Sequence, residues 1–569
     1  MPPMIRTLNY DKLRPYILSL LIGLLAFFVG EGLFKVMAER TLGSILRHNI
    51  ATLATLVILF AFYNENFIPA IFNFEKIDLP SVKQAAPLIV LAVVSGIAVS
   101  VYGGLDIIYG GIIFFIVLCL GTSVFSIFSG KFFHTFCLFW FMYPFLYFIQ
   151  TQGKNMGFER PVIFDDLVVP LSSVYILILF CCVLMANLKK RPLFKDRCLR
   201  LILWVILLSI PSLFFSRNPM KSTAYFAFDM IVPVMYFVVA LDAIKSREQI
   251  ERAIRIILFS LVIFILITAY FFMKSGHEEG RFGLYESEGA MIPFGTLASC
   301  AVIMFPFSFA LYKITHKKAY LFLLGMFAVL GVLSNLRSVA VALVLVVLLV
   351  FIFSRIEGLK KLFTAMVILM CLVFMLFLSH ALGVGVEIRH RLFSTFSQWQ
   401  TGIDINEISS GRWEIWESAI RMIKDHPIMG IGAGMWRDYA FLYKSKDYMA
   451  HYAGYAPSFY SSVDAHNFLL DLYLKYGVLP LLLFLYFLSN IFKKCFKAYK
   501  KETNSDEKRC IMASYISLLA WFVMSIFSYR FYSYQDGTLL SGIFFWTLMV
   551  FVFRCIETSK NNERDLESV

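Results

Sequence analysis

The sequence predicts an all-α polytopic membrane protein of about 14–16 transmembrane helices, with one long outward-facing loop carrying short helices. Three observations predict it. Of the 569 residues, 59% are apolar and only 16% charged, with a mean hydropathy of +0.74. A water-soluble chain of this length needs more polar surface, so the main solvent here is lipid. Apolar stretches recur at the length of about 20 residues that a helix needs to cross hydrocarbon. Finally, the basic residues alternate between successive connections, as they do in polytopic proteins.

Read in order, the spans fall at 14–36, 48–63, 86–103, 105–127, 132–150, 167–188, 200–216, 223–243, 253–273, 290–313, 318–335, 338–354, 360–378, 468–491, 510–528 and 538–556. Residues 1–14 are polar and the apolar stretch after them is long enough to remain an anchor, so no cleavable signal is expected. The net charge of +14 lies in short loops, which reads as a topology determinant and a contact for anionic lipid rather than for nucleic acid. Cysteines sit in apolar spans or beside basic loops and none falls within 381–467, which argues against a disulfide framework or a CxxC site.

Basic connections occur at 189–200, 245–255, 313–318, 355–361 and 493–509, every second loop in the series. The positive-inside rule places them in the cytoplasm of a multi-pass inner-membrane protein, along with both chain ends. The alternate loops then face the periplasm or cell exterior, including 274–289, 334–338 and 379–466. The expected organisation is N-terminal transmembrane helices over 1–378, an outward loop over 379–466, C-terminal transmembrane helices over 467–557, and a charged, disordered cytoplasmic tail over 558–569.

The segment 379–466 is too long for an idle connection. From Ser409 the run Ser-Ser-Gly-Arg-Trp-Glu-Ile-Trp puts Trp413, Trp416, Ile420 and Ile423 on one helical stripe, with Ser410 as N-cap and His426-Pro427 as the stop. A glycine-rich turn over 430–434 follows, then a short helix through Trp436 and Tyr443. Asp464 is the expected N-cap of the next span. The aromatic residues here suit either sugar stacking or a collar at the membrane interface.

Three outward arginines are candidates for anion binding: Arg281, Arg337 and Arg412. Arg337 lies between two apolar runs, where a charge is expensive unless it is used, and a guanidinium there can clamp a phosphate through two hydrogen bonds. The alternative is a snorkelling arginine, or one paired with Glu286 or Asp464. His466 opens a span and has the chemistry of a general base near neutral pH, with Asp464 or Asp471 as the next candidates. The acidic pairs Asp165-Asp166 and Glu278-Glu279 read as solvated loops, and no histidine spacing matches a zinc motif, so no metal and no cofactor are expected. The glycines of 430–434 lack a following Lys-Ser/Thr and are not a nucleotide-phosphate loop.

These segments resemble the O-antigen ligase and O-antigen polymerase family of bacterial envelope glycosyltransferases. The residues that carry the resemblance are Arg281-Phe-Gly, Ser334-Asn-Leu-Arg-Ser338, Gly411-Arg-Trp-Glu-Ile-Trp416, His426-Pro-Ile-Met-Gly-Ile-Gly-Ala-Gly434, His466-Asn-Phe-Leu-Leu-Asp471 and Tyr476-Gly477. They cover the C-terminal half; the first 250 residues match only as membrane spans. The resemblance implies a GT-C-like helical glycosyltransferase with an outward cavity. Its donor would be an undecaprenyl-diphosphate-linked glycan and its acceptor a sugar hydroxyl of a glycan or of lipid A-core. It also implies catalytic roles for His466, Arg337 and Arg412, with Arg281, Arg337 and Arg412 on the donor diphosphate and a metal-independent inverting displacement. The long chain and enlarged loop favour a polymerase over a ligase. A lipid-linked glycan flippase is the alternative from another class, but it calls for paired helical repeats that the sequence lacks.

Overall fold

A computed structural model describes residues 107–152, 162–164, 167–168, 171–187, 197–274, 294–333, 337–353, 412–443, 465–527 and 540–567. The spans read at 14–36, 48–63, 86–103 and 360–378 lie outside the described residues, as do Arg281, Asp464, Ser410 and both acidic pairs.

The chain divides into two compact units, one of Met1–Glu159 with Arg252–Ser260 and one of Arg160–Glu251 with Leu261–Val569. In the first, α1 (Ile107–Phe128) and α2 (Phe132–Gln152) form a hairpin. Thr135 Oγ1 donates to the Ser123 carbonyl across it at 3.1 Å, and Trp140, Met142 and Tyr143 are fully buried.

The second unit opens with a two-strand antiparallel ribbon, β1 (Val162–Phe164) and β2 (Leu167–Val168), the one strand pairing among the described residues. It is otherwise helical: α3 (Leu171–Asn187), α4 (Arg197–Phe214), α5 (Pro219–Phe226), α6 (Val232–Ala243), α7 (Arg247–Lys274, shared with the first unit), α8 (Phe294–Thr315), α9 (Lys318–Leu333) and α10 (Arg337–Phe353). Then follow α11 (Arg412–Asp425), α12 (Trp436–Tyr443), α13 (Phe468–Tyr476), α14 (Val478–Lys501), α15 (Ser505–Ile526) and α16 (Leu540–Glu567). The protein is an all-α polytopic membrane protein: five described helices are long and apolar enough to cross a bilayer, and six shorter apolar helices accompany them. Most described spans agree at their ends to within about five residues, but the helices at Arg247–Lys274, Val478–Lys501 and Leu540–Glu567 run six to eleven residues past the expected ends into polar sequence.

Two differences have clear causes. The span read over 468–491 is broken at Gly477 (φ 87°), so α13 and α14 are separate helices. The tail read as disordered continues α16 to Glu567.

α16 is central, with 89% of its apolar window buried, whereas only 33% of the α14 window is. It packs on α6 and α15, and α8 packs on α9 and α15. Directional bonds fix the register of this apolar core. Tyr236 and Thr547 hydroxyls meet at 2.7 Å, Ser517 Oγ donates to the Ile303 carbonyl at 2.6 Å, and Trp521 stacks on Phe545 at 4.2 Å.

Three of the basic connections meet at one end of this unit. Arg247 lies 3.4 Å from Asp506 and 3.5 Å from Glu507, while Arg509 reaches the Lys313 carbonyl at 3.1 Å. The hairpin of α11 and α12 sits at the other end, against the turn between α4 and α5. Exposed ion pairs of this kind add little stability; their value here is to show which loops share a side.

Candidate functional site

The candidate site is built around α13. Asn467 caps this helix, its side chain accepting from Leu469 N at 2.9 Å and Leu470 N at 3.2 Å. The cap is therefore Asn467 and not Asp464, because an N-cap acceptor must lie within reach of the N2 and N3 amides. His466 directly precedes the cap with φ 47°, a left-handed backbone that a residue with a Cβ rarely adopts. Strain of this sort persists only where surrounding structure over-determines it, and it concentrates at functional sites. On one side of His466, Ala465 is fully buried; on the other, Phe468 packs against Trp521 and Phe522 of α15, each ring 5.7 Å away.

Ala465, Leu470 and Leu474 share a core with the α11–α12 hairpin, made of Ala419, Met422, Ile431, Met435, Trp436 and Ala440. The hairpin thus docks on α13, and Arg412 and His466 stand on elements that share one packed core. The helix boundaries agree with the sequence reading, α11 stopping at Asp425 before His426-Pro427 and α12 running from Trp436 to Tyr443. The stripe through Trp413, Trp416, Ile420 and Ile423 is buried only in part, with Ile423 packed against the core and Trp416 half-buried. Trp413 (47% exposed) and Ile420 (45%) point away, and the face turned inward is Ser418, Ala419 and Met422. Small side chains let α11 approach its neighbours closely; two tryptophans on that face would hold them apart.

The glycine-rich turn is the joint of this assembly. Ile431 N donates to the Leu474 carbonyl at 2.6 Å, and Val478 N donates to the Ile428 carbonyl at 3.2 Å. Gly434 (φ 69°) lies flat against the Tyr225 ring and Gly477 (φ 87°) against the Ile428 carbonyl, so a Cβ at either would collide. The motif His426–Gly434 and the pair Tyr476-Gly477, widely separated in sequence, are two halves of one backbone contact. At the free end of the hairpin, Tyr443 OH donates to Asp425 Oδ2 at 2.7 Å. That bond, with the nearby carboxylate charge, pushes the phenol up to about 12 from 10. A raised folded value means that this contribution is present below pH 10 and is lost as pH rises towards 12. His426 packs edge-on against Tyr439 at 5.4 Å.

Arg337 and Arg412 are the first residues of α10 and α11. A helix N-terminus carries partial positive charge, so a cation there is mildly unfavourable to the helix, whereas a cation and a dipole end together favour an anion. α10 packs on α15, with Phe353 at its far end against Tyr515, ring centroids 6.4 Å apart. Sixteen residues at 1.5 Å rise carry its start roughly 24 Å from Phe353. That direction leads to the end of α15 where Phe468 and α13 sit. The side chain of Arg337 lies outside the described residues.

One feature escaped sequence reasoning. Lys475 Nζ lies 2.9 Å from Asp229 Oδ2 and 3.0 Å from Asp471 Oδ2, and all three side chains are buried. Asp229 sits in a π-helical turn, Ala227–Ile231, between α5 and α6. Asp471-x-x-x-Lys475 is a helical i,i+4 pair visible in the sequence, but Asp229 is 246 residues away and carries no local signal. Asp471, the alternative base in the sequence reading, is thus a buried carboxylate paired with Lys475. Nearby, Lys221 stands 3.5 Å from Asp438. Among the described residues, no group of three or more His, Cys, Asp or Glu converges to hold a metal ion.

Residues 319–485 match the family model described as O-antigen ligase. The match covers under a third of the chain. The matched segment runs from α9 into α14 and contains Arg337, Arg412, the glycine joint and His466; Arg281 and Asp229 lie before it. No curated protein matches the chain. The match supports an O-antigen ligase/polymerase-type function, broadly that of a glycosyltransferase-type enzyme.

Proposed function

We propose that this protein builds surface polysaccharide by moving a glycan from an undecaprenyl-diphosphate donor to a sugar hydroxyl, as a polymerase in preference to a ligase to lipid A-core. The observation that carries the reading is His466. It is held in a left-handed backbone just before a capped helix, within the segment that matches the O-antigen ligase model, and that helix shares a packed core with the helix that Arg412 begins. His466 takes the proton of the acceptor hydroxyl as that oxygen attacks the anomeric carbon. The glycosyl C–O bond to the diphosphate breaks on the opposite face, so one displacement inverts the centre. Negative charge grows on the departing diphosphate, and Arg281, Arg337 and Arg412 stabilise it. Asp438–Lys221 and Asp425–Tyr443 stiffen the hairpin that presents Arg412.

Deletion followed by gel analysis of surface polysaccharide tests the assignment. A ladder collapsing to single repeats identifies a polymerase; lipid-linked polymer that never reaches lipid A-core identifies a ligase. Movement of donor across liposomes without bond formation would make the protein a transporter.

Two further outcomes are expected. Lys424→Cys, in the last turn of α11, reacts with an impermeant maleimide from outside the cell, whereas Lys500→Cys in the basic connection is shielded. The reverse pattern removes the outward site. EDTA leaves transfer by the purified protein unchanged, because arginine charges do the work of a cation on the diphosphate. Loss of turnover on chelation, restored by Mg²⁺, would return attention to Asp165-Asp166 and Glu278-Glu279.

A further inference from the structure

We infer that Asp229 and Lys475 are positioning residues for glycosyl transfer, holding α13 in the orientation that aims His466 at the acceptor. The inference rests on the catalytic reading of His466. α13 has nine residues, with His466 immediately before its N-cap Asn467 and Lys475 next to its last residue. Asp471 belongs to α13 itself, one turn before Lys475, and steers the ammonium. Asp229 is the member of the trio on a different element. The Lys475–Asp229 contact is therefore the side-chain tie that, beside the Ile431 N–Leu474 carbonyl bond, holds the roll of α13 about its own axis.

Roll matters because His466 is joined through the cap Asn467 to the opposite end of this helix. A side-chain tip lies about 5–6 Å from a helix axis, so a roll of roughly 30° moves it about 3 Å. A misplacement of about 1 Å can cost 10²-fold in rate. Apolar contacts alone tolerate such a roll, since they are non-directional. A charge-assisted hydrogen bond of 2.9 Å does not. A buried ion pair is often no more stabilising than well-packed apolar side chains, whereas its directional bond can fix orientation. The π turn fits the same role: it widens the helix by one residue and re-aims Asp229 relative to a regular α-helix.

A double-mutant cycle on the full-length protein in liposomes, with radiolabelled lipid-diphosphate donor, tests this. Asp229→Asn is expected to lower kcat at least about tenfold while KM for the donor stays within about twofold. In the His466→Ala background, Asp229→Asn should cost nothing further, because there is no longer a base to aim. Multiplying effects, a KM rising in step with the fall in kcat, or an Asp229→Asn variant within threefold of wild type would each overturn the proposal. If Asp229→Asn does not fold, the reciprocal exchange Asp229→Lys with Lys475→Asp decides. A folded exchange variant within about threefold of wild type supports alignment by the pair. A folded but equally impaired one, or one that does not fold, overturns it. The catalytic reading is judged separately by the His466→Ala single variant: if that retains its activity, the base assignment fails first and the positioning role falls with it.

Discussion

Arg412→Ala is expected to lower glycan transfer by roughly 10²–10³-fold, the usual loss when one preorganised contact to a developing negative charge is removed. Arg337→Ala should do the same. Neither change should unfold the protein. Both arginines are the first residue of a helix, where the macrodipole makes a cation mildly unfavourable, so alanine leaves α10 and α11 intact or slightly more stable. Arg→Lys should rescue poorly at either position, because an ammonium is a point charge and cannot reproduce the planar two-bond fork. Donor binding, measured with a lipid-diphosphate analogue, should weaken together with turnover. His466→Ala should separate the two, losing turnover at near wild-type donor affinity. In the wild type, the rate should fall on the acidic side as the imidazole takes up a proton. If lysine restores most of the activity at Arg412, the bidentate diphosphate contact is wrong. If His466→Ala stays active, Asp464 becomes the next candidate base, since Asp471 is committed to Lys475.

The second large effect belongs to the joint between the two family motifs. Gly477→Ala should destabilise the protein by roughly 2–6 kcal/mol, from about 1–3 for a left-handed alanine and about 1–3 for overpacking. The added methyl meets the backbone carbonyl of Ile428, which cannot swing aside as a side-chain tip would. Val478 N and the Ile428 carbonyl would part, and with them the seat of the α11–α12 hairpin on α13. A thermal melt in detergent and trypsin sensitivity of 412–443 report the loss. A wild-type melt for Gly477→Ala would show that the hairpin does not depend on this joint. Leu479→Ala, two residues on but 53% exposed, is the control and should change little.

Much of this was legible in the sequence because membrane insertion is governed by local composition. Whether a stretch such as 294–315 or 505–526 is a helix depends on its own apolar residues and on the cost of leaving backbone groups unsatisfied in lipid. The alternation of basic loops likewise sets which ends lie together, and Arg247, Arg509 and Lys313 do meet. α11 and α12 were readable from Pro427 and the glycines, which act on their own neighbours. Which face of α11 is buried was not. Hydrophobicity favoured the stripe through Trp413 and Ile420, but the approach of α13 selected the small side chains of Ser418 and Ala419 instead.

The sequence by itself thus determined an all-helical membrane protein, its loop alternation, and the residue types by which residues 319–485 match the O-antigen ligase family model. Tertiary structure alone decided that Gly434 and Gly477 are contact points rather than flexible links, that His466 is held in a left-handed conformation, and that Lys475 faces Asp229. Each of these depends on groups tens to hundreds of residues apart whose meeting costs chain entropy and is repaid only when the whole bundle packs. No local pattern around Asp229 could announce its partner, because the partner is chosen by the packing of α13 and not by anything in residues 227–231.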